Sequence, residues 1–488
     1  MGAAFSSTGK TRLFYPSSPL AVTIRTKTKE TIRGNLRQAI EERCPTLALG
    51  EFVPAWWLPN GHLQLIYCVV GDFSKTDHVV YKRTYLRLVD GGTLGLDSTP
   101  PNQDSFNDDT PVVVVMHGLT GGSHESYVRN ILAAACLPVE KGGLGYRAVV
   151  INFRGCAGIP LTSHQFYSAG YTDDLRQALL YISQLYPKAP LLGLGFSLGA
   201  NVIVRYLAEE KEHSRLSSAC VLACPIVVLW MRKEASDFVI NRKFGTPVQV
   251  RITWFMIKFR PLSSIAKRPW DLSKNNDAME STLWGKYVYS KGMASNLLRL
   301  LSRHTVVLSR RPGHYVTTAM HAAFALKSPT LEQFDDAFTS KAGGAPPVFP
   351  FPSAKQYYTW ASSHYVLPDV RVPLLALNAA DDPIVQKVPD DVDNPSVVLA
   401  LTPGGGHLGW FEVGKQGSVA VTRWITKPVI EWLRLVAEDL VLERKTKEVY
   451  VSGDGFFKEP GRDDIGCKVI DGGGLVEDTT DVDLIQGL

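Results

Sequence analysis

No stretch of this chain is apolar for long enough to cross a membrane. The longest run, Ala219 to Met231, is broken by Pro225 and falls short of the roughly 20 residues that a spanning helix needs. The first thirty residues carry basic side chains but no apolar core of the kind a signal peptide has. The single Asn-x-Ser/Thr match, Asn394-Pro395-Ser396, has proline in the middle and cannot accept a glycan. Cysteine is scarce, with seven in 488 residues, and no pair has zinc spacing. An odd number of scattered cysteines points to a reduced, intracellular protein, cytoplasmic or held peripherally at a membrane or lipid droplet. An excess of one charge is missing as well: a net +5 spread over this length argues against a nucleic-acid partner. No dinucleotide fingerprint, P-loop or metal-ligand cluster occurs, so no cofactor and no metal is implied. Gly9-Lys10-Thr11 resembles the end of a phosphate loop, but Ala4 stands where its first glycine belongs and no strand precedes it.

What is present is Gly195-Phe196-Ser197-Leu198-Gly199. It follows the apolar run Pro190 to Leu194 and opens a helical-looking stretch through Leu207. Strand, tight turn and helix are the context that a G-x-S-x-G nucleophile turn requires. The glycines permit the strained serine backbone, and the free N–H groups of the new helix face the reaction centre.

Around this turn the chain alternates strands and helices. Val79–Val89 and Thr93–Asp97 read as a hairpin about Asp90-Gly91-Gly92, and Val112 to Met116 as a strand buried on both faces. Helices near 126–135 and 172–185 flank the strand 147–152, and a strand at 219–223 follows the serine helix. The rhythm stops after Pro225 and resumes with strands at 372–378 and 396–401 and a helix near 429–442. Such alternation predicts a mostly parallel central sheet with helices on both faces, which binds ligands beyond the carboxyl ends of its strands. The domain is expected to span residues 46–440. The aromatic-rich interruption, about 225–340, reads as an inserted cap.

A serine hydroxyl needs a base to take its proton, and the base needs an acid to hold its tautomer; in this arrangement they follow in the order Ser, Asp or Glu, His. Beyond the strand ending at Asn378 lie Asp381 and Asp382, which compete for the acid's place. Beyond the next strand lies Gly404-Gly405-Gly406-His407, and His407 is the candidate base. The oxyanion of a tetrahedral intermediate would be met by two backbone N–H groups, those of Leu198 and of Leu119 in His117-Gly118-Leu119-Thr120-Gly121-Gly122. His117 is expected to brace that loop. His364 and Asp369 fit an H-x4-D acyltransferase pattern by chance.

Three segments lie outside the strand–helix rhythm. Met1-Gly2-Ala3-Ala4-Phe5-Ser6 matches the N-myristoylation pattern, against the plainer reading that residues 1–45 are a leader with a short helix at 31–42. Trp230 to Trp270 has nine Lys/Arg against two acidic residues, interleaved with bulky apolar ones. It suits a membrane or lipid-droplet surface as well as it suits a cap over an apolar acyl pocket. Residues 441–488 read as an acidic, disordered C-terminal tail, most clearly Val469 to Leu488, with five acidic and no basic residues.

Taken together, several motifs resemble the YheT-like, embryogenesis-associated branch of the α/β-hydrolases. They are Asn60-Gly61-His62-Leu63-Gln64, Asp90 to Asp97, His117 to Ser123, Asn152 to Gly158, Tyr171 to Arg176, Gly195 to Asn201, Leu331 to Asp336 and Asn378 to Pro383. The resemblance covers about residues 50–440 and implies an α/β-hydrolase fold. Its acid-loop pattern favours Asp382 over Asp381. It implies a serine esterase acting on medium-chain acyl esters, able to pass the acyl group to an alcohol acceptor as in fatty acid ethyl ester synthesis. Two alternatives stand beside it: an acylglycerol or phospholipid lipase, and a non-enzymatic ligand receptor on a hydrolase scaffold.

Overall fold

Uninterrupted runs of valine, leucine and alanine make the middle of a twelve-stranded sheet. The computed structural model describes residues 9–26, 28, 30–225, 272–386, 393–414, 421–443, 445–476 and 484. The N-terminal lipidation pattern and the basic stretch 230–270 lie outside these residues. The strands are β1 (Arg12–Phe14), β2 (Tyr81–Leu88), β3 (Thr93–Thr99), β4 (Val112–Met116), β5 (Arg147–Asn152) and β6 (Leu191–Phe196). They continue with β7 (Ser218–Leu222), β8 (Leu374–Ala379), β9 (Val397–Thr402), β10 (Tyr450–Val451), β11 (Phe457–Glu459) and β12 (Arg462–Val476). Their order is β10-β11-β12-β2-β3-β5-β4-β6-β7-β8-β9-β1. From β5 to β9 every neighbouring pair is parallel, and the flanking pairs are antiparallel. The expected mostly parallel sheet is therefore present.

The longer helices are α1 (Leu36–Arg43), α2 (Gly61–Val70), α3 (Ser126–Cys136), α4 (Asp173–Leu185) and α5 (Leu198–Glu210). After them come α6 (Leu272–Glu280), α7 (Lys291–Ser302), α8 (Tyr315–Ala325), α9 (Ala354–Ala361) and α10 (Thr426–Arg434). Period-two alternation splits β4 between two cores. Val112, Val114 and Met116 pack with α4 and α5, whereas Val113 and Val115 pack with α1, α3 and α10. Each buried valine contributes about 1.5–3 kcal/mol, so a charged residue at Val114 would break the sheet at its centre.

Both chain ends differ from expectation. Residues 9–45 are not a separate leader: β1 pairs with β9, and Ala21–Arg25 forms a hairpin with Thr31–Asn35. The hairpin claims residues 31–35, and the Asn35 side chain caps α1, so the helix starts at Leu36 rather than at Thr31. Residues 450–476 are not disordered: β10 pairs with β11, β11 with β12, and β12 with β2 from Cys467 opposite Leu88 to Val476 opposite Tyr81. The register shifts between Ile470 and Gly474, and a Cβ at Gly473 would stand 2.2 Å from Arg83 O. Those glycines serve a bulge and a close backbone approach. Of the remaining tail only Leu484 is among the described residues.

Candidate active site

β6 ends at Phe196 and α5 begins at Leu198, so Ser197 alone turns the chain between them. Its backbone sits at φ 50°, ψ −115°, where an L-residue carries about 1–3 kcal/mol of strain. Its N–H donates to Leu222 O on β7 at 2.9 Å, which helps to hold it. A Cβ at Gly195 would stand 2.6 Å from Ala200 Cα, and one at Gly199 would stand 2.4 Å from the carbonyl oxygens of Met116 and His117. The glycines thus let α5 close onto β6 and β4, a tighter need than clearing space around the serine.

The acid and base come from the loops after β8 and β9. His407 Nε2 lies 2.9 Å from Ser197 Oγ, and His407 Nδ1 lies 2.8 Å from Asp382 Oδ2. The other Asp382 oxygen accepts the N–H groups of Ile384 and Val385, both at 2.8 Å. Asp381 turns the other way, and its Oδ1 accepts the Gly406 N–H at 2.9 Å. One aspartate therefore touches the imidazole while its neighbour ties down the loop that carries it.

That loop is packed, despite its three glycines. A Cβ at Gly405 would meet the Trp410 ring at 2.4 Å, and Trp410 Nε1 donates to Thr402 Oγ1 at 2.8 Å. Gly406 sits against Gly61 O, and Gln64 on α2 accepts the Phe411 N–H at 2.7 Å. The segment Asn60 to Gln64, recognised in the sequence only by resemblance, thus braces the histidine loop.

Leu119 and Leu198 both border the space beside Ser197. The Leu198 N–H belongs to the first turn of α5, which has no intrahelical acceptor. Around Leu119, the Gly118 N–H donates to Tyr127 Oη and the Thr120 N–H to Tyr167 Oη, each at 3.1 Å. Among the described residues the Leu119 N–H meets no acceptor. His117 is buried, donates from Nδ1 to Gly118 O and accepts the Phe153 N–H at Nε2. Burial pushes its imidazole down to about 3, so it is a neutral brace, as expected.

The resemblance motifs outside the reacting groups form a buried polar frame behind this loop. Asp97 accepts Arg83, Ser123 Oγ and Asn152 Nδ2. Arg154 lies between Asp174 and Asp90. His364 sits in a short turn and Asp369 pairs with Lys211 at 3.2 Å, so the H-x4-D pair contributes nothing here.

Beside Ser197 opens a cavity walled by Leu119, Leu198, Met279, Met293, Leu297 and Leu331. Three of these stand in or between α6 and α7, and the fourth cap residue, Leu331, lies just past α8. The described part of the expected cap is thus helical and borders the site. One wall is polar. The buried Asp335 carboxylate accepts Tyr358 Oη at 2.7 Å, and burial pushes its carboxyl up to about 6. Asn276 Oδ1, on the same cavity, has no partner among the described residues. Asn275 donates to Ile384 O at 2.9 Å and accepts the Gln386 N–H at 3.2 Å, fastening α6 to the acid loop. Asn275 and Asn276 had no local sequence signal, since they lie where the strand–helix rhythm fails, whereas Asp335 stands in the resemblance motif Leu331 to Asp336.

Residues 112–416 match the family described as Alpha/beta hydrolase family. The chain belongs to the alpha/beta hydrolase family. Three curated proteins are similar to this hydrolase along most of its length. The Monoacylglycerol lipase of Saccharomyces cerevisiae is 28% identical, over 88% of this chain and 90% of its own. The Embryogenesis-associated protein EMB8 of Picea glauca is 28% identical over 79% and 72%. The Medium-chain fatty acid ethyl ester synthase/esterase 2 of Saccharomyces cerevisiae is 26% identical over 80% and 86%. Family and relatives make the chain a hydrolase, with proteins named as lipase and esterase among its kin. Among the described residues no helix of the hydrolase is long and apolar enough to cross a membrane.

Proposed function

We propose that this protein is a serine carboxylic-ester hydrolase acting on medium-chain acyl esters through an acyl-enzyme. Ser197 Oγ attacks the acyl carbon while His407 Nε2 takes its proton, and Asp382 holds the imidazole and balances its charge. The N–H groups of Leu119 and Leu198 bind the oxyanion, each worth about 3 kcal/mol of barrier. The ester C–O bond breaks as His407 returns the proton to the departing alcohol oxygen. Water, or an alcohol acceptor, then gives its proton to His407 and attacks the acyl carbon, and as the acyl–Oγ bond breaks His407 passes that proton to Ser197 Oγ.

The observation that carries this reading is the unbroken chain Asp382–His407–Ser197 opening on an apolar cavity. A ligand receptor would have no need of that chain. Hydrolysis of p-nitrophenyl esters of increasing length tests the acyl preference, with a maximum expected near eight to ten carbons, about the length of a medium chain. Product partition at varied ethanol tests transfer: ester yield no higher than the uncatalysed control would remove it.

A second reading, acylglycerol lipase, is favoured by the polar wall of Asp335 and Asn276, which suits the free hydroxyls of a glycerol ester. A higher kcat/KM for a monoacylglycerol than for the ethyl ester of the same acid supports it. Contact with a lipid surface has support in Leu283, Trp284 and Tyr287, exposed together on the cap beside Lys286 and Lys291.

A further inference from the structure

Asp335 borders the Ser197 cavity but takes no part in the proposed reaction. The residue is 6% exposed. Its Oδ2 accepts Tyr358 Oη at 2.7 Å, and Oδ1, beside the Thr339 hydroxyl, stays open to the cavity. Among the described residues no cation pairs with it. Hydroxyls satisfy the lone pairs of a carboxylate without answering its charge, and a buried charge without a counterion is costly. Burial accordingly pushes this carboxyl up to about 6, which leaves it ionised at neutral pH with no positive partner of its own.

Aromatic rings share the cavity with this carboxylate. Tyr167, Tyr357 and Tyr358 all border it, with the Tyr357 and Tyr358 centroids 5.4 Å apart. Their hydroxyls are engaged elsewhere. Tyr167 Oη accepts the Thr120 N–H, Tyr357 Oη accepts the Ala169 N–H at 2.9 Å, and Tyr358 Oη donates to Asp335. What these side chains have left for an occupant is ring carbon, and the π-electrons of such rings attract a cation. The charges behind the wall have the same sign as Asp335. Glu332 accepts Asn276 Nδ2 at 3.5 Å, and Asn276 borders the cavity. Burial first, and then Glu280, Asp277 and Asp336, hold the Glu332 carboxyl above its usual range, with Lys355 opposing them. Carboxylates gathered in this way raise the local concentration of a cationic ligand.

We propose that the Ser197 cavity takes acyl esters whose alcohol part carries a quaternary ammonium group, bound by Asp335 and the rings of Tyr167, Tyr357 and Tyr358. This rests on the serine-esterase reading and adds a positive charge to the substrate. A quaternary ammonium has no N–H that needs an acceptor, so one carboxylate and several rings can take the place of its water. The acyl chain lies along the aliphatic wall of Met279, Met293 and Leu297. The bond broken is the same ester C–O bond, and the product that leaves is the ammonium alcohol.

The test uses the full-length protein and two esters of one shape: hexanoylcholine, and its neutral isostere in which carbon replaces the charged nitrogen. Both use the same serine and base, so the ratio of their kcat/KM values cancels the triad. The expected ratio in the wild type is about tenfold or more in favour of the cation, and Asp335→Asn should bring it close to one. In the wild type the ratio should also fall as pH is lowered through about 6, where Asp335 takes up a proton. Facing Asp335 are Glu332 and the phenols of Tyr167, Tyr357 and Tyr358, and burial holds those phenols above their ordinary range, hence neutral. Should Asp335→Asn not fold, this wild-type profile decides, and a ratio constant across it overturns the proposal. Calorimetric titration of hexanoylcholine into Ser197→Ala reads the site without turnover. Saturable binding is expected there, with a Kd about tenfold weaker, or more, when Asp335→Asn is added. Failure to hydrolyse either ester would remove the esterase reading, and this titration would still decide the cation site. A wild-type ratio near one, an equal ratio in Asp335→Asn, or no binding by Ser197→Ala overturns the proposal.

Discussion

The two buried aspartates on either side of the Ser197 cavity have been given opposite surroundings. Asp382 is met by the His407 imidazole at one oxygen and by two backbone N–H groups at the other, so both of its oxygens face donors. Asp335, across the cavity, is met by the Tyr358 hydroxyl and has no cation beside it among the described residues, and burial pushes its pKa up to about 6. The loops on the first side are tied to one another through backbone and buried side-chain bonds, and the cap residues on the second side touch the cavity largely through apolar atoms. The lesson is that the side proposed to do chemistry is over-determined, while the side that shapes the substrate is held by packing with a few polar ties such as Asn275.

That contrast can be broken from either side. Asp382→Asn should leave the fold intact and lower kcat by about 10⁴-fold, because the imidazole loses the partner that sets its tautomer; steady-state kinetics on a p-nitrophenyl ester would show it. On the opposite side, the fold favours protonated Asp335. Its stabilising contribution is thus present below about pH 4 and is lost as pH rises through about 6. Asp335→Asn cannot ionise. The unfolding free energy of the wild type relative to this variant should therefore fall by about 3 kcal/mol between pH 4 and pH 8. Parallel denaturant curves across that range would contradict the assignment.

The smaller effects sharpen the comparison. Asp381→Ala removes the tie to the Gly406 N–H and should cost about tenfold in kcat with KM little changed. A loss as large as that of Asp382→Asn would mean that the two carboxylates had been given each other's roles. Leu297→Trp should shorten the cavity and lower kcat/KM for a ten-carbon ester by about tenfold while acetyl ester turnover stays within about twofold. Equal losses on both esters would place Leu297 away from the acyl chain.

The two sides were not equally legible. Ser197, His407 and the strands beneath them follow from local requirements: a forced backbone turn, a fixed order along the chain, and runs of apolar residues buried on both faces. The choice between Asp381 and Asp382 was drawn from resemblance, and hydrogen-bond geometry shows which of them meets the imidazole. Asn275 and Tyr358 had no signal, because what they do depends on contacts between segments far apart in the chain, and Asp335 was marked only by resemblance. Residues 450–476 misled for a different reason. Acidic and glycine-rich composition resembles disorder, yet β12 is an outer part of the sheet whose glycines fit a bulge against β2. The chain's opening was misread similarly, since short strands such as Arg12–Phe14 take their meaning from partners nearly four hundred residues away.

The central claim is that Ser197 is a nucleophile activated by His407. Labelling by a fluorophosphonate probe tests it most directly, since the probe captures an activated serine whatever the natural substrate is. The wild type should label rapidly and Ser197→Ala not at all, with both proteins folded by circular dichroism. A folded wild type that does not label, or a Ser197→Ala variant that labels equally well, would contradict it.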